Sequence, residues 1–276
     1  MVRSRHPFAT RDRLLFAHRG GARLAPENTL VAFERGMREG SDGVECDVHL
    51  SRDGVPVVIH DATLDRTTDA SGPVSVRTAD ELARVDAGYR FQVDAAFPFR
   101  GTDVGVPRLA DVFRTVHTGR VIIEMKQGLP ALAQAVIAAV RAADAVDRVC
   151  VGSFYRGALD VLRAEAPEIA TSAAEDEARW TLYRSWCRWP LRQRRPYVAF
   201  QVPRRAGRLH VISPSFLEQA HKDNARVDVW VVDRPEDVEA LFDVGVDGVI
   251  SDRPDLAVPT RNRWIDRSGH EPKPIE

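Results

Sequence analysis

Short apolar runs alternate with longer helical patterns along most of the chain, and this alternation restricts its possible folds more than any single motif does. LLFA (14–17), GVECDVHL (43–50), VIIEMK (121–126), VCVGSF (149–154), EIATS (168–172), YVAFQV (197–202), VDVWVV (227–232) and DGVIS (247–251) read as strands. Helical patterns such as NTLVAFERGMREG, LPALAQAVIAAVRAAD, SPSFLEQAHKDNA and RPEDVEALFDVG fall between most of them. With the short run VPVVIH (55–60) set aside, that makes about eight β–α units in about 250 residues, which predicts a closed (β/α)8 TIM barrel. The rival is an open doubly wound sheet, which usually carries a glycine-rich phosphate loop after its first strand. AHRGGARLAPENT contains neither GxGxxG nor GxxxxGK[ST]. Residues 61–119 break the alternation, and the polar tail 257–276, with scattered prolines, reads as a loose end.

In an extended chain, residues two apart share a face. VIIEMKQG therefore places Ile122, Glu124 and Lys126 on one side and Val121, Ile123 and Met125 on the other. In GVECDVHL the same rule separates Glu45 and Asp47 from Val44, Cys46 and Val48. The apolar set needs burial against helices, which turns the carboxylates toward the barrel interior. A solvated edge strand is the alternative for Glu45 and Asp47, and a simple buried ion pair for Glu124 and Lys126. Like charges so placed repel unless something positive lies between them. Three carboxylates at one mouth point to a hard divalent cation, Mg2+ or Ca2+, with oxygen ligands. Lys126 is one of only three lysines among 39 basic residues, so a compact ammonium is wanted there.

The formal net charge of −1 supplies no global field for nucleic acid. Cys46, Cys150 and Cys187 are odd in number and form neither CxxC nor a zinc spacing, which suits a reducing compartment. No run approaches 18 apolar residues and the N-terminus has no signal-like apolar stretch, so a cytoplasmic location is expected. Nothing in the chain sets its oligomeric state.

Catalytic groups of such barrels project from the C-terminal strand ends. Here those ends carry His18-Arg19, Glu45 and Asp47, Glu124 and Lys126, Trp230, and Ser251-Asp252, with His60-Asp61 after the short run. His49 continues the Glu45/Asp47 face as a supporting residue. In these residues the chain resembles the glycerophosphodiester phosphodiesterase family. AHRGGARLAPENT resembles its opening signature. GVECDVHLSRDGVPVVIHDATLDRTT resembles its central run, and ELARVDAG, VPRLADVF, IEMK, VWVV and GVDGVISDRP follow in the family's order, over about residues 14–256.

The resemblance implies a single catalytic barrel with a small insertion after strand two, about residues 50–119. It also implies a metal on Glu45, Asp47 and Glu124, and acid–base histidines at His18 and His60. Arg19 and Lys126 then stabilise charge on the phosphoryl oxygens, and Trp230 offers a wall for the glycerol backbone. The family's Trp-Thr-Val-Asn is here Trp230-Val231-Val232-Asp233, a departure in the polar lining near that strand.

The implied substrate is a glycerophosphodiester, cleaved to glycerol 3-phosphate and an alcohol. Lysophospholipase D-type cleavage of a lysophospholipid is the alternative, with a non-catalytic phosphoester-binding barrel behind it. EARWTLYRSWCRWPLRQRRP (177–196) bears on that choice, because it interleaves Trp180, Trp186 and Trp189 with six arginines. It reads either as a barrel helix, its tryptophans packed on strands and its arginines solvated, or as a peripheral membrane contact.

Overall fold

The computed structural model describes residues 6–187 and 195–269. The elements run β1 (Leu14–His18), α1 (Leu30–Arg38), β2 (Gly43–Leu50), β3 (Pro56–Val58), α2 (Ala79–Leu82), α3 (Leu109–Thr115), β4 (Arg120–Met125) and α4 (Pro130–Ala142). They continue β5 (Val149–Gly152), α5 (Arg156–Glu165), β6 (Ala170–Thr171), α6 (Glu175–Cys187), β7 (Ala199–Pro203), β8 (Arg205–Ala206) and β9 (Leu209–His210). The last are α7 (Pro214–Lys222), β10 (Arg226–Trp230), α8 (Pro235–Asp243), β11 (Gly248–Ser251) and α9 (Pro254–Ser268).

Eight parallel strands follow the order β6-β5-β4-β2-β1-β11-β10-β7. A bridge from Ser172 to Ala199 joins the two ends. At that seam Val198 N–H donates to the Thr171 carbonyl (2.9 Å) and Ala173 N–H to the Ala199 carbonyl (2.8 Å). The expected barrel is therefore present, with β3 pairing antiparallel on β2 outside it.

Alternation within each strand sorts the side chains as the period of two requires. Val44, Cys46, Val48, Val121, Ile123 and Met125 pack outward in one core with the helices. Phe16, Ile122, Cys150, Ala199 and Ile250 share a separate interior cluster with Phe8. Phe8 stacks on Phe16 and lies beside the Arg120 and Arg226 guanidinium groups, at the N-terminal ends of β4 and β10. That plug closes one end of the barrel and leaves the chemistry to the other.

After β3 the insertion builds its own small core, with Leu64, Val74, Leu82 and Val106 among its buried members. It ends sooner than expected, because Leu109–Thr115 is already a barrel helix. The tail also differs from expectation. Residues up to Ser268 form α9, which buries Ala257, Val258 and Trp264 rather than trailing into solvent. Pro254 opens the helix at a position that suits proline, and packing against α8 outweighs the cost of Pro259 inside it, the residue that masks this helix in the sequence. Among the described residues no helix is long and apolar enough to cross a membrane.

Candidate active site

β1 delivers His18 to the C-terminal mouth, and the chain then turns sharply. Arg19 adopts φ +50° and Gly20 φ +86°. A Cβ on Gly20 would lie 2.5 Å from the Ala32 backbone carbon, so only glycine lets this loop lie against α1. The turn aims the Arg19 backbone N–H at Glu45 Oε2 (3.2 Å). It also brings the Arg19 Nε within 3.1 Å of Asp47 Oδ2.

His18 Nδ1 lies 2.7 Å from Asp252 Oδ1, and its Nε2 faces Glu45 Oε2 at 3.8 Å. Burial alone would lower the His18 pKa, but the Asp252 hydrogen bond and the charges of Glu45 and Asp252 hold it above the ordinary value. Asp233, at the departure from the family pattern, accepts hydrogen bonds from the Ser251 hydroxyl (3.1 Å) and the Asp252 N–H (2.8 Å). It thus sets the loop that holds His18.

Glu45, Asp47 and Glu124 each offer a carboxylate oxygen, and the three oxygens lie within 4.8 Å of one another. A cation with oxygen ligands at about 2.4 Å spans such a group. Glu45 is buried, and burial followed by repulsion from Asp47 pushes its pKa up to about 8. Burial would raise Asp47 as well, but Lys126, Arg19 and the Asn28 amide hold it below the carboxylate range. Lys126 Nζ sits 2.9 Å from Asp47 Oδ1 and 2.8 Å from Glu124 Oε1. The ion-pair alternative for Glu124 and Lys126 is therefore real, yet it leaves Glu45 without a cation of its own, which is why its carboxyl holds a proton so high. Three hard oxygen donors, one of them a buried carboxyl with no cation of its own, fit a divalent cation.

His60 reaches the same pocket from the insertion, with Nδ1 2.6 Å from Asp61 Oδ1. His49 Nε2 meets the His60 carbonyl at 3.0 Å. Asp61 also accepts Arg66 Nε (2.7 Å), and Arg66 hydrogen-bonds Glu27 through both terminal nitrogens (2.8 and 2.7 Å). Glu27 in turn takes Arg19 NH1 at 2.8 Å. Glu27, Asn28, Asp61, Arg66, Asp233 and Asp252 were not singled out by role in the sequence. Adjacency to His60 was the available signal for Asp61, and the quoted opening signature for Glu27 and Asn28.

His18, Arg19, Glu45, His60, Glu124, Lys126 and Trp230 all line one cavity of about 540 Å³. Asp47 is buried just beneath it, in contact with Lys126. Within α6 the reading of 177–196 as a helix with packed tryptophans and solvated arginines fails for the tryptophans and for Arg184, while Arg179 is exposed as that reading has it. Trp180, Tyr183 and Trp186 are about half exposed, whereas Arg184 is buried and pairs with Asp223 (3.3 Å). That ion pair makes the inward arginine tolerable. Arg188, Trp189, Arg192 and Arg194 lie outside the described residues.

A parallel barrel sealed at one end, with two histidines and three carboxylates gathered at the other, suits hydrolysis of a phosphoric diester, although the barrel alone does not name the reaction. A sequence profile of the glycerophosphoryl diester phosphodiesterase family matches residues 18–256, so the chain belongs to that family. A glycerophosphodiester phosphodiesterase of Caldanaerobacter subterraneus subsp. tengcongensis is 33% identical over 254 residues, covering 89% of this chain and 96% of that protein. The crystal structure of glycerophosphodiester phosphodiesterase from Agrobacterium tumefaciens superposes with a TM-score of 0.73 at 30% identity, covering 90% and 99% of the two chains. An Oleispira antarctica phosphodiesterase, solved with the product sn-glycerol-3-phosphate, shares the fold at TM-score 0.72 and 24% identity, covering 90% and 96%.

Proposed function

We propose that this enzyme hydrolyses glycerophosphodiesters to glycerol 3-phosphate and an alcohol, with one Mg2+ or Ca2+ ion held by Glu45, Asp47 and Glu124. The observation that carries the reading is the meeting of those three carboxylates within 4.8 Å in the cavity region that also holds His18 and His60. A bound cation would supply Lewis-acid charge against the phosphoryl oxygens. Arg19 and Lys126 add fixed positive charge beside the same position. Each catalytic imidazole has a carboxylate on Nδ1, Asp252 for His18 and Asp61 for His60, which leaves Nε2 free to exchange a proton.

One histidine takes the proton of the attacking hydroxyl, the neighbouring glycerol oxygen, as the new P–O bond forms. The other gives a proton to the departing alcohol oxygen as the old P–O bond breaks. Water then opens the resulting cyclic phosphate. Trp230 walls the glycerol side.

The test is release of glycerol 3-phosphate from a panel of diesters, with chelator and with each metal restored. Chelation is expected to abolish release, and His18→Ala and His60→Ala each to lose about 10²-fold or more. Full activity in chelator would sink the cation, and near-normal turnover by either variant would remove that histidine from proton transfer.

A second reading concerns location. The exposed Trp180, Tyr183 and Trp186 stripe favours peripheral contact with a lipid surface. Co-sedimentation with anionic liposomes would support it, and a protein left wholly in the supernatant would end it.

A further inference from the structure

We infer that Gln201, with Ser172 beside it, is a specificity-determining residue that reads the terminal hydroxyl of the glycerol. This rests on the phosphodiesterase reading of the same cavity. Cys150, Ala170 and Ala199 share the interior cluster from three successive strands, β5, β6 and β7. Two residues further along each chain, the period of two turns Gly152, Ser172 and Gln201 the same way, one step closer to the mouth, and all three line the cavity. In the ring of eight strands β7 stands four places from β2 in either direction. Gln201 therefore rises from the wall across the barrel from Glu45 and Asp47.

The backbone holds this group in place. Ser172 N–H donates to the Val151 carbonyl (3.0 Å), and the Ser172 carbonyl accepts from Arg163 NH2 (3.0 Å). Arg163 is fixed in turn by Glu177 (2.9 and 3.1 Å). Gly152 lies outside the left-handed region, so its backbone does not demand glycine. Space does. A Cβ there would lie 2.9 Å from both Gln201 Oε1 and Ser172 Oγ, so the bare position lets two polar side chains converge over it.

The Gln201 side-chain nitrogen is buried without a hydrogen-bond partner among the described residues. Such a donor is costly until an oxygen meets it. The substrate has one oxygen to spare. Its phosphoryl group belongs with the carboxylates and the glycerol C2 oxygen is the nucleophile, which leaves the C1 hydroxyl without a task. Trp230, the glycerol wall, pairs with Pro203, two residues beyond Gln201 on the adjoining strand. A hydroxyl at that place accepts from the amide nitrogen and donates to the Gln201 or Ser172 oxygen, and a methyl group does neither.

Calorimetric titration in Mg2+ compares sn-glycerol 3-phosphate with the propane-1,2-diol 1-phosphate of matching configuration, which lacks only that hydroxyl. The deoxy ligand is expected to bind about 10- to 100-fold more weakly, because it leaves the amide unpaired. Gln201→Leu and Gln201→Met both remove the amide, and each should bring the two Kd values within about threefold, chiefly by weakening glycerol 3-phosphate. Either variant suffices if the other misfolds. Equal Kd values in the unaltered enzyme, or no measurable binding of glycerol 3-phosphate, overturn the inference. So does a gap that survives in a folded variant. Turnover of glycerophosphoethanolamine, measured in parallel, separates the two readings. Turnover with equal Kd values sinks the hydroxyl reading alone, and a gap in Kd without turnover sinks the hydrolase reading alone.

Discussion

Arg66 holds Glu27 through two hydrogen bonds, one from each terminal nitrogen, and so fastens the insertion after β3 to the loop that follows β1. The same guanidinium grips Asp61, whose other contact is His60, while Glu27 grips Arg19. One side chain therefore spaces His60, proposed to transfer a proton, from Arg19, proposed to face the phosphate, without taking either role itself.

Arg66→Met should lower kcat about 10- to 100-fold, the usual scale for losing a group that orients a reacting one, with a smaller change in KM. Arg66→Lys should recover only part of the loss, because an ammonium cannot hold two carboxylates in one plane. Steady-state kinetics of the two variants decide the matter. Unchanged kcat in Arg66→Met would show that His60 is positioned without it.

Asp61 sits well below its ordinary value, at about 2, chiefly through the Arg66 hydrogen bond, with His60 adding to it. A depressed carboxylate contributes stability above its unfolded value, near 3.9, and that contribution is lost as pH falls toward 2. Arg66→Met should therefore narrow the stability gap between neutral and acidic buffer. Melting temperatures of both proteins across about pH 2 to 5 would show it, and parallel curves would argue against the Arg66–Asp61 linkage.

Glu45 gives the opposite sign. Its pKa is raised to about 8, so its contribution is fully present below the unfolded value of 4.5 and is lost as pH climbs through 8. Metal-free protein should lose stability across that window, and Glu45→Gln should remove most of the slope. Protons and a divalent ion compete for the same oxygen, so added Ca2+ or Mg2+ should raise Tm more near pH 8 than near pH 5. A metal-induced shift that ignores pH, or that survives Glu45→Gln intact, would move the cation to other ligands.

The His18–Asp252 pair joins β1 to the end of β11 across 234 residues. Asp252 raises the His18 pKa, and a raised histidine stabilises below its unfolded value near 6.5 and ceases to do so as pH rises through the folded value. Asp252→Asn should lower the His18 pKa and cut kcat about 10²-fold, through loss of ring orientation as much as of charge. An NMR titration of the His18 ring would show the pKa move downward. An unmoved titration with normal kcat would leave Asp252 only a structural part in closing the barrel.

What the sequence disclosed follows from period and order. Two-residue alternation in GVECDVHL and VIIEMK placed Glu45, Asp47, Glu124 and Lys126 on the inner face, because the outer set needed helices to cover it. What stayed hidden was set by distant partners. Nothing near Asp252 in sequence announces His18, and nothing near Arg184 announces Asp223. The exposure of the α6 tryptophans was hidden for the same reason. Their face depends on which neighbour neutralises an inward arginine, and that neighbour lies 39 residues away. In α9, propensity and packing disagree, and only the packing partners, Phe242 and Asp243, settle the outcome.

Trp264 makes that last point measurable. Its ring lies 5.6 Å from Phe242, its Nε1–H donates to Asp243 Oδ1 at 2.7 Å, and it is 7% exposed. The Arg13 guanidinium lies over its face at 5.6 Å, which ties α9 to the chain entering β1. Trp264→Ala would remove a large buried aromatic, a loss of about 3–5 kcal/mol on the scale of core truncations. For a domain of this size that corresponds to a drop in Tm of about 10 °C. Because Trp264 sits on the outer helical layer, kcat at a temperature where both proteins are folded should change by less than about twofold. Denaturant unfolding and steady-state kinetics on the same preparation test both halves. A stability change under about 0.5 kcal/mol, the usual range for surface substitutions, would mean that residues 257–268 are held only weakly, and that the loose-end expectation described the chain better than the helix does.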